Sequence, residues 1–207
     1  MTHMSDVPEA SRPAGLRERK KARTRAAIRE HAIRLFRDQG YAATTVEQIA
    51  AAADVSPATF FRYFPTKEDV VLQDDMDILT MEALDAQPRE LSPVAAVRAA
   101  AAGARAAMTP QDLERLAETT RLTLAVPEIR ARALDELTRT IDQMGGALAE
   151  RAGRPADDFD ARVLAGALIG VIMAVTIPWA ATADLDVSDM FARIDAGLAQ
   201  LEDGLTL

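Results

Sequence analysis

Apolar residues recur at three- and four-residue intervals along most of this chain and almost nowhere alternate. Ile28, Ala32, Leu35 and Phe36 form one such stripe, on a helix that should run from Leu16 to Gln39. Gly40 follows where a left-handed helix end belongs. Thr45, with Gln48 three places on, is a capping box that opens a second helix, whose buried face is Val46, Ile49, Ala50 and Ala53. After a turn at Asp54 and Val55, Ser56 caps a short third helix. Pro57 takes its first position, where the missing N–H is harmless, and the helix should run from Ala58 to about Phe64 and stop at Pro65. Thr66 caps a fourth, with Lys67 in its first turn, reaching about Gln87. Pro, Gly and capping residues then mark helices near 92–107, 110–125, 127–152, 157–182 and 186–204. No segment has the alternation of a strand and no repeat is visible. The pattern predicts an all-α chain of about nine helices.

One helix departs from the amphipathic rule. Val163 to Ala181 is 19 residues without a charge, long enough to raise a membrane span. It carries Gly166-xxx-Gly170, a close-packing pattern in lipid and in soluble helix pairs alike. Its alanine content, Thr176, Pro178 and the absence of flanking lysine favour a buried central helix instead, and the amphipathic helices on either side need such a surface. No membrane partner is expected.

Composition narrows the chemistry. Of 207 residues, 49% are hydrophobic and only 4% aromatic, which supports a packed helical core over a β-sandwich. There is no cysteine, and His3 and His31 are the only imidazoles, so thiolate metal sites, thiol nucleophiles and an ordinary Ser-His-Asp triad are excluded or nearly so. No early apolar run resembles a signal peptide, and a cytoplasmic protein is expected. No metal site or cofactor is expected either. The net charge of −8 hides two opposed parts: residues 1–67 carry +5 and residues 68–207 carry −13. Lys20, Lys21 and Lys67 are the only lysines. A basic end on an acidic body is the electrostatic footprint of a polyanion binder, although a basic solubilising tail would give the same asymmetry.

Residues 45–64, a short helix, a tight turn and a capped short helix, have the spacing of a helix-turn-helix, with a basic helix before it. From Thr24 through FRDQGYAATTVEQIAAAADVSPATFFRYFPTKEDVVL, the sequence resembles the amino-terminal DNA-binding domain of TetR-type transcriptional regulators. The likeness rests on the Ile28/Ala32/Leu35/Phe36 stripe, Gly40-Tyr41, Thr44-Thr45-Val46, Ile49-Ala50, Val55-Ser56, Thr59-Phe60-Phe61, Tyr63-Phe64 and Lys67-Glu68. Residues 1–15, with Pro8, Pro13, Gly15 and small polar residues but no periodicity, are expected to form a flexible arm, with the MTHM start set aside because such starts also arise as expression scars. The likeness implies a helix-turn-helix domain over 16–66 and a helical effector-binding and dimerisation domain over 67–207.

The resemblance also assigns roles. Thr45 would offer its hydroxyl to a phosphate while also capping its helix. Tyr63 and Lys67 match phosphate-binding positions. Phe61 stands where tyrosine is usual, so a hydrogen bond is lost and ring packing remains. Base readout falls to the helix that starts at Ser56, through Pro57, Ala58, Thr59 and Arg62, with Glu47 a weaker candidate. Arg62 has two open readings, a guanine edge or a phosphate. Arg17, Lys20 and Lys21, with Arg19, Arg23 and Arg25, could follow the backbone or enter a minor groove, or simply be a solvated helix end. Phe60 and Phe64 read as core.

For the acidic domain the resemblance implies a small effector and a homodimer. The last helix carries an unbroken stripe through Val187, Met190, Phe191, Ile194, Leu198, Leu201 and Leu205, and the uncharged helix is its natural companion. Leu164, Leu168, Val171, Val175, Ile194, Leu198 and Leu201 are therefore the expected interface, two helices from each subunit. Intrachain packing is the competing reading of the same stripes. Met76, Leu79, Leu116, Thr120, Thr123, Met144, Met173, Thr176 and Trp179 are candidate linings of a pocket for a hydrophobic or amphipathic ligand. Gly145-Gly146 and Pro178 suggest a kink that opens it. The stretch LAETTRLTLAVPEIRARALDE faintly resembles family sensor domains that bind acyl-CoA-like ligands. The function implied is a homodimeric repressor released from a palindromic operator in double-stranded DNA. Two alternatives stand beside it: a DNA-binding dimer governed by a protein partner, and a carboxylate-based enzyme. The second finds no serine elbow, P-loop, zinc motif or calcium loop in support.

Overall fold

The computed structural model describes residues 15–72, 82–182 and 186–204, and every regular element among them is a helix. We label these α1 (Leu16–Gln39), α2 (Val46–Ala52), α3 (Pro57–Tyr63), α4 (Asp69–Leu72), α5 (Pro93–Ala107), α6 (Pro110–Ala125), α7 (Pro127–Arg151), α8 (Phe159–Ala180) and α9 (Val187–Glu202); residues 82–85 are helical too. Their starts follow from local chemistry. Thr45 Oγ1 accepts from the Gln48 N–H at 3.2 Å, while Gln48 Oε1 accepts from the Thr45 N–H at 2.9 Å. Ser56, Ser92, Thr109, Asp158 and Asp186 cap α3, α5, α6, α8 and α9 with side-chain oxygens. Proline fills the first turn of α3, α5, α6 and α7.

The chain divides into two compact units, one ending at Lys67 and the other starting at Glu68. In the first, α1, α2 and α3 close around Ile28, Ala32, Phe36, Ile49, Phe60 and Phe64, all buried. Gly40 ends α1 at φ 86°, ψ 153°, a backbone that only glycine adopts readily. The turn between α2 and α3 is held by the Val55 N–H donating to the Ala50 carbonyl at 2.9 Å. It requires φ 52° at Asp54. A short polar side chain tolerates that conformation, whereas a β-branched one does not. Asp54→Val should therefore destabilise this unit by about 1–2 kcal/mol, read as a lowered urea midpoint. An unchanged midpoint would show that the turn relaxes.

In the second unit α8 packs against α7 on one side and α9 on the other, over a core that includes Leu148, Ala165, Leu168, Trp179, Ile194 and Leu198. Arg98 of α5 ties to α9 through Asp195 at 2.8 and 3.1 Å and Glu202 at 3.2 Å. The hydrogen bond from Arg98 holds the Asp195 carboxyl below its ordinary range. Gly145 and Gly146 do not interrupt α7, which runs unbroken to Arg151. A Cβ on Gly145 would lie 3.2 Å from the Arg162 Cα, so this glycine permits close approach of α7 and α8. Gly197 does the same for α9, since a Cβ there would fall 2.7 Å from Val171 Cγ1.

This packing uses part of the expected interface inside the subunit. Leu168, Ile194 and Leu198 are buried inside the chain's own core, and Leu164, Val171, Val175 and Leu201 pack against it. The face of α8 left open is a different one: Phe159, Val163, Gly170 and Ala174 are exposed, in line with the half-buried Gly166. Gly166 and Gly170 have open space where a Cβ would stand. The helix has the length and mean hydropathy, 2.2, of a membrane span, yet only 22% of that stretch is buried within the chain.

Candidate nucleic-acid interface and ligand cleft

The outward side of α3 is small, apolar and basic. Phe60 and Phe64 turn one side of the helix into the core and are fully buried. Ser56, Pro57, Ala58, Phe61 and Arg62 stand exposed on the rest, with Thr59 half-buried between them. The Ser56 hydroxyl donates to Thr59 Oγ1 at 3.0 Å and accepts from the Thr59 N–H at 3.1 Å. That pairing fixes the threonine rotamer and leaves its own hydroxyl hydrogen available to an acceptor. The Arg62 guanidinium lies 5.3 Å from the centre of the half-buried Tyr63 ring. Phe61, 51% exposed, presents its ring with no polar group. Arg17, Lys20 and Lys21 are exposed on α1, as is Thr45 at the start of α2.

Lys67, expected to face phosphate, is half-buried and makes its described contacts within its own unit. Its ammonium donates to the Tyr41 and Thr44 carbonyls, each at 2.9 Å, and lies 3.9 Å from the Tyr41 ring centre. These contacts brace the turn that delivers Thr45 to α2. From the other side, Gln39 Nε2 donates to Thr44 Oγ1 at 3.1 Å and to Gln48 Oε1 at 3.0 Å. Gln39, Tyr41 and Gln48 are positioning residues; the capping box pointed to Gln48, whereas nothing in the apolar pattern pointed to Gln39.

The second unit holds a cleft of about 870 Å³ bounded by α4, α6, α7 and α8. Thr120, Thr123, Met173 and Thr176 line it as expected from sequence, joined by Val71 and Leu72 of α4, by Leu134 and Leu137, and by Ile172 and Ile177. Three expected linings lie elsewhere. Met144 and Trp179 are buried in the core, where the indole N–H donates to the Asp186 carbonyl at 3.1 Å, and Leu116 packs against that core. Met76 and Leu79 lie outside the described residues. Asp69 anchors α4 to α7 beside the cleft: its buried carboxylate accepts from Arg132 Nε at 3.1 Å, while the same guanidinium reaches Glu136 at 2.7 Å. That hydrogen bond to Asp69 raises the Arg132 pKa.

Residues 28–73 match the family described as bacterial regulatory proteins, tetR family, and residues 91–206 match the MftR C-terminal domain. The HTH-type transcriptional regulator TcmR of Streptomyces glaucescens is 33% identical over 199 residues, covering 92% of this chain and 88% of that protein.

The chain belongs to the TetR family.

Solved TetR structures agree with the fold. A TetR-family repressor from Thermus thermophilus, FadR, in complex with lauroyl-CoA, is 26% identical with a TM-score of 0.57 over 88% of this chain and 95% of that one. A TetR-family regulator from Syntrophomonas wolfei gives a TM-score of 0.65 at 16% identity, over 90% and 98%. TetR membership makes the chain a DNA-binding transcriptional regulator rather than an enzyme. Members of the family bind DNA, act as dimers and respond to small molecules.

Proposed function

We propose that the chain acts in the cytoplasm as a homodimeric repressor on a two-fold symmetric operator, released when a small hydrophobic or amphipathic effector fills the cleft. The observation that carries this reading is the wall of the cleft. Val71 and Leu72 belong to α4, which follows the DNA-binding unit in the chain after a single short link. A ligand seated there presses on the helix that leads to the recognition elements. The effector need only favour the non-binding state by about 1–3 kcal/mol, and by linkage operator DNA must then weaken effector binding equally. The lauroyl-CoA bound by the Thermus thermophilus relative supports an acyl-CoA-like molecule as one such effector.

On DNA, the α3 helices of the two subunits enter successive major grooves. Pro57 and Ala58 offer apolar contact to thymine methyls, the Thr59 hydroxyl and Arg62 reach base edges, and Phe61 packs against the groove wall. Thr45 and Tyr63 bind phosphate through their hydroxyls, and Arg17, Lys20 and Lys21 follow the backbone or a minor groove. Selecting bound fragments from genomic DNA should enrich a palindrome, and candidate metabolites should release it from the preformed complex. Thr59→Ala should relax base preference at one position in each half-site, by about 1 kcal/mol, without changing the salt dependence. Selection that enriches no symmetric site would refute the operator reading. A ligand screen in which nothing releases the DNA would transfer control to a protein partner.

A further inference from the structure

The charges around the cleft run against those of the unit that contains it. Residues 68–207 hold 25 carboxylates against 12 arginines, and seven of those arginines sit in ion pairs among the described residues. Yet among the described residues the cleft wall contains two arginines, Arg121 and Arg130, and no aspartate or glutamate. Both are exposed. Arg121 has no hydrogen-bond or carboxylate partner among the described residues, and Arg130 makes one long bond, 3.3 Å from Nη1 to the Leu124 carbonyl. In a unit where carboxylates outnumber cations two to one, guanidinium groups with no carboxylate partner among the described residues, at the rim of an apolar cavity, form a local positive site. Two carboxylates on α4 and α7 are already occupied. Asp69 is bound by Arg132, and Glu136 by Arg132 and Arg139.

The smaller cavity of the same unit, about 320 Å³, shows the contrast. It also has two arginines on its wall, but Arg98 is bound to Asp195 and Glu202, and Arg105 donates to Ser188 Oγ at 2.7 Å and lies over the Phe191 ring. Its cations are internal braces. Those of the larger cleft have no side-chain partner among the described residues, and only Arg130 reaches a backbone carbonyl.

We infer that the larger cleft selects effectors with an anionic head, a carboxylate or a phosphate, on an apolar body. The head is held at the α6–α7 turn by Arg121 and Arg130, and the body lies along Leu134, Leu137, Ile172 and Ile177. Guanidinium groups suit both heads, because each offers a planar fork of donors to two oxygens. This inference rests on the cleft being the effector site, and it adds the sign of the ligand's charge.

The test uses four probes with one dodecyl tail and different heads, titrated calorimetrically into the full-length protein below their micellar concentrations: dodecanoate, dodecyl phosphate, dodecanol and dodecyltrimethylammonium. At least one anion should bind about tenfold or more tightly than the alcohol, with the cation weakest; which anion leads tells carboxylate from phosphate recognition. The double variant Arg121→Ala, Arg130→Ala should lose that anion preference while still binding dodecanol within about twofold. Both positions are exposed, so folding should be unaffected, and nonspecific unfolding by an anionic surfactant would not respond to the substitutions. Equal binding of anion and alcohol, or an anion preference that survives in the double variant, overturns the inference while leaving the cleft as effector site. Failure of every probe to bind overturns both.

Discussion

The double variant Val163→Glu, Ala174→Glu should sediment as a monomer and lose about 10²–10⁴ in operator affinity. Both positions lie on the open stripe of α8, where Val163 is 54% exposed in the single chain, so neither substitution disturbs the subunit's own core. In a symmetric pair each glutamate would lose water without gaining a partner, at a cost of several kcal/mol per pair, roughly 2–7 for a polar group and more for a charge. Separated subunits meet the operator one half-site at a time and forfeit the avidity of two linked recognition helices, which is the source of the quoted factor. The control is Leu198→Asp. That side chain is 1% exposed within one chain, so its replacement should unfold the subunit instead of dissociating a dimer. Circular dichroism beside sedimentation separates the two effects. If the double variant remains dimeric and competent for DNA, the subunits meet elsewhere.

Lys67→Met should be almost as damaging, for a reason other than lost phosphate contact. The substitution keeps the length of the stem and removes two charge-assisted hydrogen bonds to the Tyr41 and Thr44 carbonyls, leaving the Tyr41 carbonyl to the Thr44 N–H at 3.2 Å. A loss of about 2–4 kcal/mol from the first unit is expected. Binding should fall for all sequences alike because Thr45 and α2 lose their support. The salt dependence decides the role of the lysine. A phosphate contact that is removed lowers the slope of log affinity against log salt by about one per lysine, whereas a lost brace leaves the slope unchanged. A reduced slope with undiminished thermal stability would restore the phosphate role.

What the sequence made legible was whatever is encoded in single residues or in a periodic stripe. Ser92-Pro93, Thr109-Pro110 and Asp158 start α5, α6 and α8 by local hydrogen bonding, so those starts could be read to within a residue or two. Phe60 and Phe64 were readable as core because they stand four residues apart, on one side of the short third helix. Along α8 the pattern has no phase, since almost every position is apolar, and nothing local says which side meets α9 and which stays open. The packing that decides it is signalled only by Gly197, whose missing side chain leaves room for Val171. Lys67 was legible as a family position but not in its direction. Its partners are carbonyls 23 and 26 residues away, and carbonyls are the same whatever residue carries them. The cleft was half legible: threonines and a methionine at its wall could be chosen by chemistry, whereas the arginines at its rim stand out only once their neighbours are known to be occupied.

The open stripe on α8 also bears on how such a regulator would respond to its own abundance. On the proposed dimer, a folded chain with that much oil on one side is an unfinished object that pairing would complete. At low expression, where most chains are single, doubling the number of chains raises the number of pairs roughly fourfold by mass action. Occupancy of the operator would then rise as a threshold instead of a slope, with no cooperativity between sites. A cell that dilutes this protein by growth would lose silencing abruptly, at a concentration set by a row of small apolar residues and not by any contact with DNA.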